Sequence, residues 1–175
     1  KHLAESFYTI NGKPKITPSK KSTKLIRYNS YEQDSEGSAT ENPDIVEKNI
    51  LERMKKGMEI EKESKKFSMY EVHGKKQSKN VVVSWGSTKG AIIDAIEDLD
   101  AKFVQIRYIE PFPKEVAKEL KGNVILVENN STGQLGDLIR EKTGILIENK
   151  NKILRFDGKP FLADELRKEI KRRLR

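Results

Sequence analysis

Three short stretches hold the residues that could do chemistry. Gly86-Ser87-Thr88-Lys89-Gly90 follows the apolar run NVVVSW and precedes a striped segment. Glycines there permit tight turning and close approach, and a helix that follows directs free backbone N–H groups outward. The stretch matches neither GxxxxGK[ST] nor GxGxxG, so it is no nucleotide fingerprint. It either closes a strand-to-helix turn, with Ser87 or Thr88 capping the helix, or also touches an anion or a neighbouring subunit. The second stretch is Arg107-Tyr108-Ile109-Glu110-Pro111-Phe112-Pro113. Arg107 could clamp a carboxylate or phosphate, or pair with a local Glu, and Phe112 between two prolines reads as a core plug. The third is VENNSTGQLGDLI, in which Glu128, Asn129 and Asn130 leave an apolar run. Gly133 would admit a close neighbour, and Gln134 opens the next helix. This turn either builds local structure or contacts another chain.

No Ser/His/Asp or Cys/His set, paired-acid site or ligand cluster stands out, so neither a catalytic nor a metal site is assigned. The chain has no cysteine, which excludes disulfides and cysteine-ligated iron–sulfur clusters within it. His2 and His73 are too few for a histidine-rich metal site. A net charge of +8 raises the question of nucleic acid. The sharpest basic cluster, RKEIKRRLR at 167–175, has no interleaved aromatic for base stacking, and reads as a solvated helix face. No apolar run reaches the roughly 18 residues needed to span a bilayer, and no signal-peptide pattern opens the chain. A cytoplasmic protein is expected. The first residue, Lys1, is not Met, which suggests a fragment, a processed chain or a trimmed piece.

The elements that must position these turns read clearly after residue 67. FSMYEV alternates like an edge strand, NVVVSW is continuously apolar, and Ile92, Ile96 and Leu99 mark one face of a helix. KFVQIRYI is the next strand, PFPKEVAKEL a short helix, and NVILVEN a further strand followed by a helix bearing Leu135, Leu138 and Ile139. GILIEN and KILRFD give two more short strands, and Leu162, Leu166, Ile170 and Leu174 stripe a closing helix. Continuous apolar strands alternating with helices predict a three-layer α/β/α domain over 67–175 with a mostly parallel, mixed sheet. Ligands and partners of such sheets meet the carboxyl ends of the strands, where all three turns lie. Before it, 11–66 reads as a polar linker and a long helix. Asn42 is its N-cap, Pro43 its first residue, and Val46, Ile50, Met54 and Met58 form a narrow apolar stripe that covers another surface.

The stretches VSWGSTKGAI, IRYIEPFP, VILVENNSTGQLGDLIRE and ILRFDGKPF, in this order, resemble the second domain of the alpha chain of 2-oxoacid:ferredoxin oxidoreductases. More distantly they are similar to the C-terminal domain of transketolase-like enzymes. HLAESFYTI at 1–10 looks like the end of that family's preceding pyrimidine-binding domain, and YEQDSEGSATENPDIVEKNILERMKK like its connecting segment. Where the family often has His-Asp-Glu-x-Gly, this chain has Glu32-Gln33-Asp34-Ser35-Glu36-Gly37, and no function carries over. The resemblance implies a holoenzyme that uses thiamine diphosphate with magnesium to decarboxylate a 2-oxoacid. It also implies iron–sulfur clusters that pass electrons to ferredoxin, and coenzyme A to collect the acyl group. Beta and gamma chains are the implied partners. The segment itself would be an interface domain without its own active site or bound cofactor. The competing reading is a free-standing α/β module for an anion or protein.

Overall fold

The computed structural model describes residues 30–35 and 37–174. The expected end of a preceding domain at 1–10, and most of the expected linker, lie outside them. The described residues fall into two units, divided between Glu63 and Ser64. In the first, helix α1 (Pro43–Ser64) begins as its sequence dictates. The Asn42 carboxamide oxygen accepts from the Asp44 and Ile45 backbone N–H groups, at 3.0 and 3.4 Å. Arg53 and Asn49 on this helix both bond the Glu32 carboxylate. That pairing, Arg53 first, holds the Glu32 carboxyl below its ordinary range. The predicted stripe does form along one helix, yet Ile50, Met54 and Met58 are exposed.

The second unit holds one sheet of five strands: β1 (Tyr70–Gly74), β2 (Asn80–Trp85), β3 (Lys102–Ile106), β4 (Asn123–Glu128) and β5 (Lys152–Leu154). Their order is β1-β3-β2-β4-β5, with only β1 antiparallel. Helices α2 (Lys89–Ile96), α3 (Gln134–Thr143) and α4 (Ala163–Lys171) cover it. Strand alternation sorts the core into two layers. Val81, Val83, Val104 and Leu126 face Val116, Leu135 and Ile139. Val82, Phe103, Ile125 and Val127 face Ile92, Ile96, Leu166 and Ile170. This is the expected three-layer α/β/α arrangement with a mixed sheet.

Two expected elements differ. GILIEN forms no strand, because β5 already occupies the place beside β4; Ile147 is buried in the core with Ile145 half-buried against it, while Leu146 stays exposed. PFPKEVAKEL gives only a 3-10 turn, Lys114–Lys118, which seats Val116 in the core. Phe112 is buried as a core residue, as expected.

The amino end of the sheet is closed by a ladder that sequence reasoning missed. Asn123 donates to the Asn80 carboxamide oxygen at 3.0 Å and to the Arg173 carbonyl at 2.6 Å. Asn151 donates in turn to Asn123 and to the Val124 carbonyl. The only available hint was that both central strands begin with Asn-Val. Gly122 makes this end tight. Its φ is +106°, and a Cβ there would fall on the Lys79 carbonyl oxygen. Gly122→Ala is therefore expected to lose about 3 kcal/mol or more of stability, read from urea unfolding. A loss below about 1 kcal/mol would show that the backbone yields at this point.

Candidate functional site at the carboxyl edge of the sheet

The sheet order places the carboxyl ends of β3, β2 and β4 side by side, so the three turns meet along one edge. Two carboxylates tie them. Glu71 on β1 pairs with Arg107 at 2.7 Å and with Lys89 at 3.7 Å, joining the first two turns. Exposed pairs of this kind contribute little each, on the order of 0–1 kcal/mol. Arg107 is thus ion-paired, though with Glu71 from a distant strand rather than with a Glu nearby in sequence.

Glu128 joins the first and third turns, and it is buried, at 1% exposure. Both its oxygens accept from the Leu135 backbone N–H, at 3.1 and 3.0 Å. The Trp85 indole N–H and the Asn130 amide also donate to it, at 3.2 and 3.0 Å. A helix N-terminus attracts anions through its free N–H groups and dipole. Here the chain's own carboxylate takes that place on α3. Asn130 builds the turn, since its carboxamide oxygen accepts from the Thr132 and Gly133 N–H groups at 3.1 and 2.6 Å.

The Gly86 turn is a 3-10 turn (Gly86–Thr88) in which the Lys89 N–H returns to the Gly86 carbonyl. Neither Ser87 nor Thr88 caps α2, contrary to expectation. The Thr88 hydroxyl points back at the sheet, donating to the Trp85 carbonyl at 3.1 Å and lying 2.6 Å from the Ser84 hydroxyl. Ser84, buried on the central strand, donates to the Val127 carbonyl at 2.5 Å. Those demands outcompete a local cap. Gly86 needs glycine for its φ of +68°, whereas around both Gly86 and Gly90 a Cβ would meet open space. Gly133 is different: its near neighbours are the chain's own Leu126 and Lys152 side chains, 3.3 Å from a Cβ, rather than another backbone.

Three large apolar side chains stand exposed near this edge: Trp85 (44%), Phe156 (73%) and Leu162 (57%). Trp85, Glu128 and Leu154 close adjacent strands, which puts Phe156 two residues beyond the same row. Arg155 braces the segment by bonding Asp157, Glu165 and the Pro160 carbonyl. The Lys159 backbone N–H, and then Arg155, hold the Asp157 carboxyl below its usual range. Its bond to Asp157, reinforced by Glu165, raises the Arg155 guanidinium. Asn129 is exposed and reaches the Lys159 carbonyl at 3.3 Å, and Gln134 is exposed at the first position of α3. The apolar trio was not singled out as a site, because aromatic and leucine positions in periodic segments read as core.

No family model matches the chain. It is similar to the 2-oxoacid:ferredoxin oxidoreductase subunit alpha of Saccharolobus solfataricus, 37% identical over 157 residues, covering 85% of this chain and 24% of that one. It is also similar to 2-oxoacid:ferredoxin oxidoreductase 2, subunit alpha, of Aeropyrum pernix, 35% identical over 149 residues, covering 81% of this chain and 23% of that one. Among solved structures it shares a fold with the 2-oxoglutarate:ferredoxin oxidoreductase of Magnetococcus marinus. That match has a TM-score of 0.64 at 24% identity, covering 94% of this chain and 29% of that one. The chain spans about a quarter of the length of these curated relatives.

Proposed function

The chain is homologous to a segment of the alpha subunits of 2-oxoacid:ferredoxin oxidoreductases, and from that premise we infer that it serves such an enzyme as an interface domain. Its carboxyl edge faces another domain or subunit, not substrate. The supporting observation is the asymmetry of the two sheet ends. The amino end is sealed by the asparagine ladder, and the anion-binding position of α3 is filled by Glu128. What the carboxyl edge leaves exposed is Trp85, Phe156 and Leu162, beside the polar Ser87, Asn129 and Gln134. Exposed large apolar side chains with polar neighbours are the composition of an interface.

In this reading residues 67–175 are a transketolase C-terminal-like domain, 11–66 the connecting segment, and 1–10 the end of a preceding domain. The holoenzyme would carry out oxidative decarboxylation of a 2-oxoacid in the cytoplasm, with beta and gamma chains and ferredoxin as partners. Thiamine diphosphate, magnesium, iron–sulfur clusters and coenzyme A would contact other parts of it. The chain has no thiolate for a cluster, and the buried carboxylate of the edge, Glu128, has both oxygens taken by N–H donors.

The test is to assemble the full-length polypeptide containing this segment with its partner chains and offer it 2-oxoacids. Reduction of a viologen dye that depends on 2-oxoacid and coenzyme A is expected. No reduction by a cofactor-loaded assembly across a panel of 2-oxoacids would overturn the assignment.

A further inference from the structure

An edge strand turns every second backbone N–H and C=O away from its sheet. β1 is such a strand, and among the described residues nothing pairs with its outer side. The Arg107 N–H donates to the Met69 carbonyl at 3.0 Å and the Lys75 N–H to the Ala101 carbonyl at 3.1 Å, in register with the β1–β3 ladder. Residues 69, 71, 73 and 75 therefore bond to β3, and Tyr70, Val72 and Gly74 turn their backbone groups outward. The Ser68 hydroxyl donates to the Tyr70 carbonyl at 2.8 Å, which leaves that oxygen a second lone pair. A cleft of about 1130 Å³ adjoins the strand, bordered by Phe67, Val72, Lys76 and Lys118. The strand, Tyr-Glu-Val-His-Gly, contains neither proline nor lysine to discourage pairing.

We propose that this edge pairs, antiparallel, with the same edge of a second copy of the chain, the two-fold axis passing through Val72. The sequence of the strand is self-complementary about that residue. Val72 meets its own counterpart in a hydrogen-bonded pair on the axis. Glu71 of one copy, which already contacts Arg107, Lys89 and His73 of its own chain, faces His73 of the other in the closer, non-hydrogen-bonded pair, where a carboxylate meets an imidazole that can donate to it. Tyr70 faces Gly74, a pairing in which the aromatic ring covers a glycine that has no side chain of its own. A slip toward the amino end would set Glu71 against Glu71. A slip toward the carboxyl end would leave Tyr70 outside the paired strands. The central register alone uses all five residues, and isologous contacts of this kind close as dimers. This inference rests on the position of β1, independent of the functional reading.

Sedimentation equilibrium of the 175-residue chain from micromolar to millimolar is the test. A monomer–dimer equilibrium is expected, with slowed amide exchange at Val72 and Gly74 in the dimer. Val72→Pro removes an outward N–H without touching the β3 ladder, and should weaken dimerisation about tenfold or more. Should that variant misfold, Glu71→Lys serves instead: it should weaken the dimer, and the double variant Glu71→Lys with His73→Glu should restore it. A monomer at all concentrations would overturn the proposal, whether or not its Val72 amide is protected by the chain itself. So would a dimer indifferent to both substitutions.

Discussion

Glu128→Ala is expected to lower the stability of the α/β unit by roughly 2–4 kcal/mol. The substitution strands the buried Leu135 N–H and strips the Trp85 indole and the Asn130 amide of their acceptor. The last two can turn to water, since Trp85 is half-exposed, so the Leu135 amide carries most of the loss. At about 4–8 °C per kcal/mol, the melting temperature should fall by roughly 8–32 °C. Trp85 is the chain's single tryptophan, so its fluorescence should change in the folded variant as well. Glu128→Gln keeps one oxygen for Leu135 and should lose about half as much. A drop below about 1 kcal/mol in Glu128→Ala would mean that water replaces the carboxylate, and that the α3 N-terminus is open to an outside anion after all.

The second large effect belongs to assembly. Gln134 is exposed, so Gln134→Arg should change the stability of the chain by only about 0.5 kcal/mol, part of it the unfavourable charge at a helix N-terminus. In the assembled enzyme the same cation would be buried against a neighbour, at a cost of roughly several kcal/mol unless it finds a partner. Paired melts of the chain and titrations of assembly should therefore separate: unchanged melting, with assembly weakened about a hundredfold or more. Normal assembly and turnover in the variant would make this turn architecture only and move the interface elsewhere.

Much of the fold was legible because strand and helix periods differ and the apolar runs are long. NVVVSW and NVILVE are short, β-branched apolar runs that read as buried strands, and the glycine and proline punctuation around them marked the turns. Strand order was not legible, since periodicity says which face of a strand is buried but not which strand lies beside it. The sequence of the third turn also misled in one respect. Glu128 reads as a residue leaving the strand into a polar turn, whereas it closes β4 and folds inward to receive the α3 N-terminus. The signal was present: an acid at a strand end, then seven residues on, the first buried leucine of a glycine-preceded helix. Capping logic failed at Thr88 for a related reason. The Thr88 hydroxyl is taken by the Trp85 carbonyl and lies against the buried Ser84 hydroxyl, which itself reaches across to the Val127 carbonyl of β4, a contact that does not appear in local pattern. GILIEN alternates correctly for a strand, but β5 takes the place beside β4, and the same residues become a loop anchored by the buried Ile147 and the half-buried Ile145.

The central claim is that the carboxyl edge of this sheet is covered by another part of an oxidoreductase assembly. Hydrogen exchange measured on this segment, alone and within the intact complex, tests it most directly. Peptides containing residues 85–90 and 129–134 should exchange readily in the isolated chain and become strongly protected in the complex, while the asparagine-sealed amino end around Asn80 and Asn123 changes little. Equal exchange of 85–90 and 129–134 in both states would contradict the account.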